Sequence, residues 1–376
     1  VDWHLHEFGF LPIVDPISHL GQPEFQPIER LGADLPLLIQ NRSFRAGSAD
    51  YLMVPIDWNA LLSPLNSHQV EHLFLRYSYF ASAFVHSPGM PAADRLPAQI
   101  AVPLDRLARA VGRPPILAYA SYCLHNWQRH DPSGPVALGN IRLLQNFSVP
   151  GDGKEDEDWF ILVHVDIEAR AGAALRAIRA AGSVMARDDP EAMAELLETT
   201  RAALRGMNQT MLRMPEACRP EVYFRKVRPY IFGFANVVYE GCANGAPRTY
   251  RGETGAQSSI VPTLLAALGV RHRDSLLTTH LEDMRNYMPP PHRQFIREQP
   301  SVREYVARIA SASGTGRKLR DFYNECLHEL IAFRSRHFEY AVNYIEKRVE
   351  NPLGTGGTPY IPWLRQLIEE TREYLL

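Results

Sequence analysis

The chain has 376 residues, 45% hydrophobic and 22% charged, with a net charge of -2. That length suits one large or two ordinary domains, with a core wide enough to enclose a cofactor. The near balance of charge excludes a general electrostatic surface for nucleic acid or for a membrane.

The four cysteines, Cys123, Cys218, Cys242 and Cys326, are far apart in the sequence. This excludes a zinc ribbon, an iron–sulfur run and a thioether-linked haem, and fits free thiols in a reducing compartment. The amino end, VDWHLHEFGFLP, lacks a signal-peptide pattern, and no apolar run reaches the roughly 18 residues of a membrane span. A cytoplasmic protein is expected.

Residues 1–50 are rich in Pro and Gly and read as short wrapping pieces. Ser67 is placed to cap an aromatic helix running to about His86. Pro103 and Gly112 bracket LDRLARAV as a helix start and stop. ILAYASYCLHNWQRH reads as another helix from about Ile116. The acidic turn-former SVPGDGKEDED, residues 148–158, is the best domain boundary. It divides a small helical domain, 1–150, from a large one, 151–376.

The second part is strongly helical. WFILVHVDIEARAGAALRAIRAAG puts Phe160, Val163, His164, Ile167, Ala171 and Leu175 on one face. EAMAELLETTRAALRGMNQTML keeps the same period. A further helix begins near Pro220 and is bent by Pro229. Val238 to Gly255 reads as a loop, followed by a short helix at Pro262. Pro289, Pro290 and Pro291 interrupt the next stretch. Ser301 and Glu304 match a capping box. From Leu319 to Val349 there is no Pro or Gly, and Leu319, Phe322, Tyr323, Cys326, Leu330, Phe333, Ala341 and Tyr344 form a helical stripe. A closing helix runs to Leu376. No strand series is visible, so the class is all-α.

His337 falls on that last stripe and His164 on the earlier one. Each alone reads first as a hydrogen-bonded core histidine; two on separate helices could bracket a flat cofactor, one ligating its metal. Arg228 lies among aromatic residues, which suits a carboxylate, or is a surface arginine like its neighbours Arg225 and Lys226. GETGAQSS (252–259) offers backbone amides and Thr254 to a polar ligand, or is an ordinary helix start. GTGGTP (354–359) reads as a mobile lid or a plain linker, and not as a phosphate loop.

Taken in order, PPILAYASYCLHNW, WFILVHVDIEA, FRKVRPYIFGF, VYEGC, GETGAQSSI, MRNYMPPPHRQFI, RSRHFEYAVNYI and GTGGTP resemble the indoleamine 2,3-dioxygenase family, and DWHLHEFGFLP resembles its opening. The resemblance covers nearly the whole chain. It implies two helical domains with haem b (iron protoporphyrin IX), ferrous when active, held between them and mostly inside the larger. It implies His337 as the iron ligand and Arg228 as the clamp on the substrate carboxylate, with Tyr223 and Phe224 as the aromatic pair beside it. Tyr119, Tyr122, Cys123, Phe160 and Ile161 match the indole pocket. Thr254 and Gly255 match small residues over the haem, and Thr355 the active-site loop.

The implied reaction inserts both atoms of O2 across the indole C2–C3 bond of L-tryptophan or a related indole, with an unidentified reductant for the iron. Some positions depart from the family pattern. His164 stands where vertebrate members carry Ser and could position the indole N–H. Tyr223 adds a hydroxyl near the carboxylate site. Leu265 stands where many members carry Asp, so a hydrogen bond on the proximal side is missing. Two alternatives follow: oxygenation or hydroxylation of another indole in secondary metabolism on the same scaffold, or a non-catalytic haem sensor.

Overall fold

The computed structural model describes residues 8–52, 57–242, 245–311, 314–348, 355 and 360–376. It is all-α apart from two small sheets. Three long helices frame the later part of the chain: Lys154–Ala186, Pro190–Met211 and Thr315–Tyr344. The first runs 33 residues, or about 50 Å at the helical rise. A short link turns it back into the second, where the Asp189 carboxylate accepts from Ala192 N at 3.0 Å and Pro190 presets the backbone. Thr315–Tyr344 then packs on Pro190–Met211.

The apolar stripe does the work its spacing predicts. Leu319, Tyr323, Cys326 and Leu330 are buried with Leu197, Leu204 and Met207 in one core. Each such aliphatic side chain contributes about 1.5–3 kcal/mol on burial. Polar pins fix the register of the pair: Asn208 Nδ2 donates to Glu329 O at 2.9 Å, and Tyr340 OH donates to Met211 O at 2.9 Å. His328 is exposed, as its place off the stripe predicts.

A second core is built on the helix Ser67–Val85, which is buried nearly all round between Glu71 and Val85. Beneath it, Glu29 receives His72 at 2.7 Å and Arg76 at 3.0 Å. This core is completed by later chain, including Tyr230, Phe234, Tyr239, Met284 and Tyr287. Tyr119, Tyr122, Cys123 and Ile161 belong to it, while Val163, Ile167 and Tyr223 belong to the core of the long helices. The seam between the two cores therefore passes through Phe160, which packs against both.

Several local expectations are corrected. The stretch read as a loop from Val238 contains the end of a strand, Phe234–Tyr239, paired antiparallel with Pro247–Tyr250 and parallel with Arg95–Leu96. The stretch read as a helix from Ile116 has one wide turn, Ala120–Leu124, then a strand, Trp127–Arg129, paired with Ile141–Leu143. These pairings are non-local, and such short strands carry too little alternation to be seen. The cap before Ser67–Val85 is Asn66, in a reciprocal capping box with Gln69.

The helix bracketed by Pro103 starts earlier, at Ala98, and holds Pro103 inside it; Gly112 ends it with φ 67° as expected. Ser301 and Glu304 form no capping box: Val302 is the cap, and Ser301 Oγ accepts from Arg303 N at 3.3 Å. The stretch from Pro220 is helical but irregular, widening over Tyr223–Val227 and tightening over Arg228–Ile231, where Pro229 cannot donate. The opening VDWHLHE, Val349 and most of GTGGTP lie outside the described residues.

Candidate functional site

The seam carries a chain of rings. Phe160, one turn before His164 on the Lys154–Ala186 helix, lies with its centroid 4.7 Å from His164, 4.7 Å from Tyr223 and 6.4 Å from Tyr122. Tyr119 meets His164 edge-on at 6.1 Å. Tyr122 stacks on Tyr79, and Tyr79 on Phe147 at 4.3 Å. Tyr119, Tyr122 and Cys123 are all buried, and burial pushes the pKa of each well up, so none ionises near neutrality. Ile161 is fully buried and backs this wall from within the core.

His164 Nδ1 lies 2.7 Å from the Phe160 carbonyl oxygen. A carbonyl only accepts, so Nδ1 carries the proton and Nε2 keeps its lone pair. Burial holds this imidazole below its ordinary range.

His337, on Thr315–Tyr344, shows a different combination. The residue is exposed. Yet desolvation, with the charge of His164 second, pushes its ring down to about 4. The ring is accessible, yet protein atoms crowd it closely enough to disfavour its charged form. No hydrogen bond from a described residue acts on the ring, and a neutral imidazole of this kind suits a metal ligand. Among the described residues no three His, Cys, Asp or Glu side chains converge as a metal cage. The His337 imidazole fits a porphyrin iron, which brings most of its own ligands.

Arg228 is buried, with its guanidinium 4.5 Å from the Phe232 ring centroid and 5.6 Å from that of Phe224. Aromatic faces on the guanidinium fix its plane for a flat, two-oxygen partner. Arg225 and Lys226 point away and pair with Glu221 and Asp152. Tyr223 is buried, with its ring edge-on to Tyr344 at 5.7 Å.

The 252–259 loop lies against both walls. Gln257 Oε1 accepts from Tyr119 N at 3.0 Å, and Gln257 Nε2 donates to Gly252 O at 2.8 Å. Thr254 caps the following turn by accepting from Ala256 N at 3.4 Å. Gly255 is exposed, with open space where a side chain would stand. Thr355 Oγ1 donates to the Glu253 carbonyl; Gly354 and 356–359 lie outside the described residues.

Two acids here escaped the sequence reading. Glu168, one turn beyond His164, accepts from Tyr119 OH at 2.9 Å and Ser258 Oγ at 2.8 Å, and burial pushes it up to about 7. Its place on the face of Phe160 and His164 was an available signal. Glu253 is buried, and burial pushes it up to about 8. It was read only as part of a small-residue loop.

The comparisons with known proteins agree across the full chain. The family model described as indoleamine 2,3-dioxygenase matches residues 2–374. Indoleamine 2,3-dioxygenase 1 of Rattus norvegicus is 30% identical, covering 100% of this chain and 95% of its own length. Indoleamine 2,3-dioxygenase of Saccharomyces cerevisiae is 29% identical, over 96% and 90%. A protein named myoglobin from Haliotis madaka is 27% identical, over 98% and 96%. With the family model and relatives of this length in agreement, the chain belongs to the indoleamine 2,3-dioxygenase family of haem-dependent oxidoreductases, dioxygenases that act on indoles.

Proposed function

We propose that this chain opens the indole C2–C3 bond of L-tryptophan with O2, giving N-formylkynurenine. The reaction balances by itself: both oxygen atoms become carbonyl oxygens on the former C2 and C3, with no net electron or proton. Haem b, held by His337 and reduced to the ferrous state by a separate donor, supplies the activation of O2 when bound. The observation that carries this reading is His337: an accessible yet desolvated imidazole, free of hydrogen bonds to described residues, across from His164.

The remaining roles belong to the chain. Arg228 receives the substrate carboxylate through two parallel N–H donors. Tyr119, Tyr122, Cys123, Phe160 and Ile161 hold the indole ring, with Tyr223 and Phe224 closing the end nearest Arg228. His164 Nε2, left as an acceptor by the Phe160 bond, takes the indole N–H and fixes the ring's rotation. Thr254, Gly255 and Thr355 cover the amino-acid end and exclude water there. The two helical domains, 1–150 and 151–376, meet at this site, and the protein works in the cytoplasm. No helix among the described residues is long and apolar enough to cross a membrane.

Aerobic incubation of the reduced, haem-loaded protein with L-tryptophan should generate formylkynurenine absorbance. A haem-replete sample giving none defeats the proposal. The second reading, turnover of another indole, draws on Tyr223 and His164, where a hydroxyl and an imidazole alter the pocket. Parallel assays with D-tryptophan, tryptamine and indole, under O2 or peroxide, separate the two. The relative named myoglobin keeps a non-catalytic haem protein as the outcome if no substrate is consumed.

A further inference from the structure

Tyr119 is tied down at both ends. Its backbone N donates to Gln257 Oε1 at 3.0 Å, and its hydroxyl donates to Glu168 Oε1 at 2.9 Å. The same Glu168 oxygen accepts from Ser258 Oγ at 2.8 Å. Gln257 and Ser258 are neighbours in the 252–259 loop, and Gln257 Nε2 closes that loop on Gly252 O. Glu168 therefore joins the ring wall, the loop and the Lys154–Ala186 helix at one buried oxygen.

His164 and Glu168 stand one turn apart on one face of that helix. The ring that Glu168 holds by its hydroxyl meets His164 edge-on, with centroids 6.1 Å apart and planes at 76°. His164 is fixed in its turn by Phe160, through the contact of Nδ1 with the carbonyl oxygen and through ring centroids 4.7 Å apart. A hydroxyl bond at the far end of a tyrosine ring sets the direction of its long axis, which the backbone alone leaves to the choice of rotamer. A carboxyl oxygen accepts whether or not the other oxygen holds a proton, so this anchor does not depend on the charge of Glu168.

An oriented group loses much of its benefit when it is misplaced by a small distance. We propose that Glu168 is a positioning residue for the indole: by holding the Tyr119 hydroxyl it keeps the Tyr119 ring edge-on to His164, and the two rings together set the angle at which the indole N–H meets the imidazole. This rests on the roles of Tyr119 and His164 given above and adds the group that keeps them in register. Glu168 itself touches the Tyr119 and Ser258 hydroxyls and acts through them.

The test uses haem-loaded protein and follows ligand binding by the shift of the haem absorption band. L-tryptophan is compared with its indole N-methyl analogue, which lacks the indole N–H. The ratio of the two dissociation constants does not depend on how much of the sample is folded or holds haem. Wild type should favour L-tryptophan. Glu168→Ala should shrink that preference by about 3- to 10-fold. Tyr119→Phe, which keeps the ring and removes the bond, should shrink it by a similar factor, and the double variant no further. Glu168→Gln, which keeps an oxygen to accept from both hydroxyls, should recover most of the preference. Should Glu168→Ala not fold, Tyr119→Phe and Glu168→Gln decide the matter. A preference unchanged in Tyr119→Phe, or losses that add in the double variant, would overturn the assignment. A wild type without any preference would overturn it together with the role of His164. A wild type that shows the preference, with its loss in the variants, but consumes no substrate would defeat the proposed reaction and leave this inference standing.

Discussion

Buried charge is handled in opposite ways in two regions of the molecule. Under the Ser67–Val85 helix, Glu29 meets His72, Arg76 and the Leu20 amide, and Glu71 meets Arg113. Burial would raise Glu29, but the His72 hydrogen bond and the charges of His72 and Arg76 outweigh it and hold the carboxyl at about 2. At the seam, Glu253 and Glu168 are pushed up to about 8 and about 7, and His337 down to about 4, all by desolvation first. The first region sets a buried cation against each acid, which holds Glu29 down although burial still raises Glu71. The second keeps its polar groups partly unspent, and that is the physical mark of a place built around something that arrives later.

The largest expected effect is at the proposed metal ligand. His337→Ala should abolish or greatly weaken haem retention, read as the ratio of haem to protein absorbance after hemin titration, with folding checked by circular dichroism. His164→Ala should keep haem and change substrate behaviour. The reverse result would exchange the two roles and break the assignment of the seam.

The paired region should respond through stability alone. Glu29→Ala leaves His72 and Arg76 buried without their acid, a change that costs about 3–5 kcal/mol when one partner of a buried pair is lost. Denaturant melts should show that loss, while the preference among indoles stays as in the wild type. A change in that preference would mean that the two regions are coupled and the contrast is too sharp. Arg228→Ala should weaken binding of carboxylate-bearing indoles by about 1.5–3 kcal/mol. Indole itself, which has no carboxylate, should bind the variant as well as the wild type.

This contrast also explains what could be read from the sequence. The long helices were legible because their apolar periods match their buried faces, as at Leu319, Tyr323, Cys326 and Leu330. The rings and Arg228 were legible because they lie in ordered stretches that resemble a family. The strand at 234–239 was not, since its partners at 95–96 and 247–250 are fixed by tertiary contact. Glu253 was not, because one acid between Gly252 and Thr254 carries no pattern.

The smallest effect concerns pH and tests the contrast in both regions at once. Glu29 is depressed when folded, so its stabilisation is present above the unfolded carboxyl range and is lost as pH falls from about 4.5 toward about 2. Glu168 is raised when folded. Its favourable contribution is complete below about 4.5 and is lost as pH rises through about 7. The two acids therefore erode stability at opposite ends of the scale. Glu168→Gln removes the second group's titration while keeping an oxygen to accept from Tyr119 and Ser258. In denaturant melts of the haem-free protein, the variant should lose about 1–3 kcal/mol less stability than the wild type between pH 5 and pH 8, roughly one to two pKa units of linkage. Its acid limb, set by Glu29, should be unchanged. Parallel curves for variant and wild type across the alkaline limb would mean that Glu168 is ionised in the folded protein, and its contrast with Glu29 would be lost.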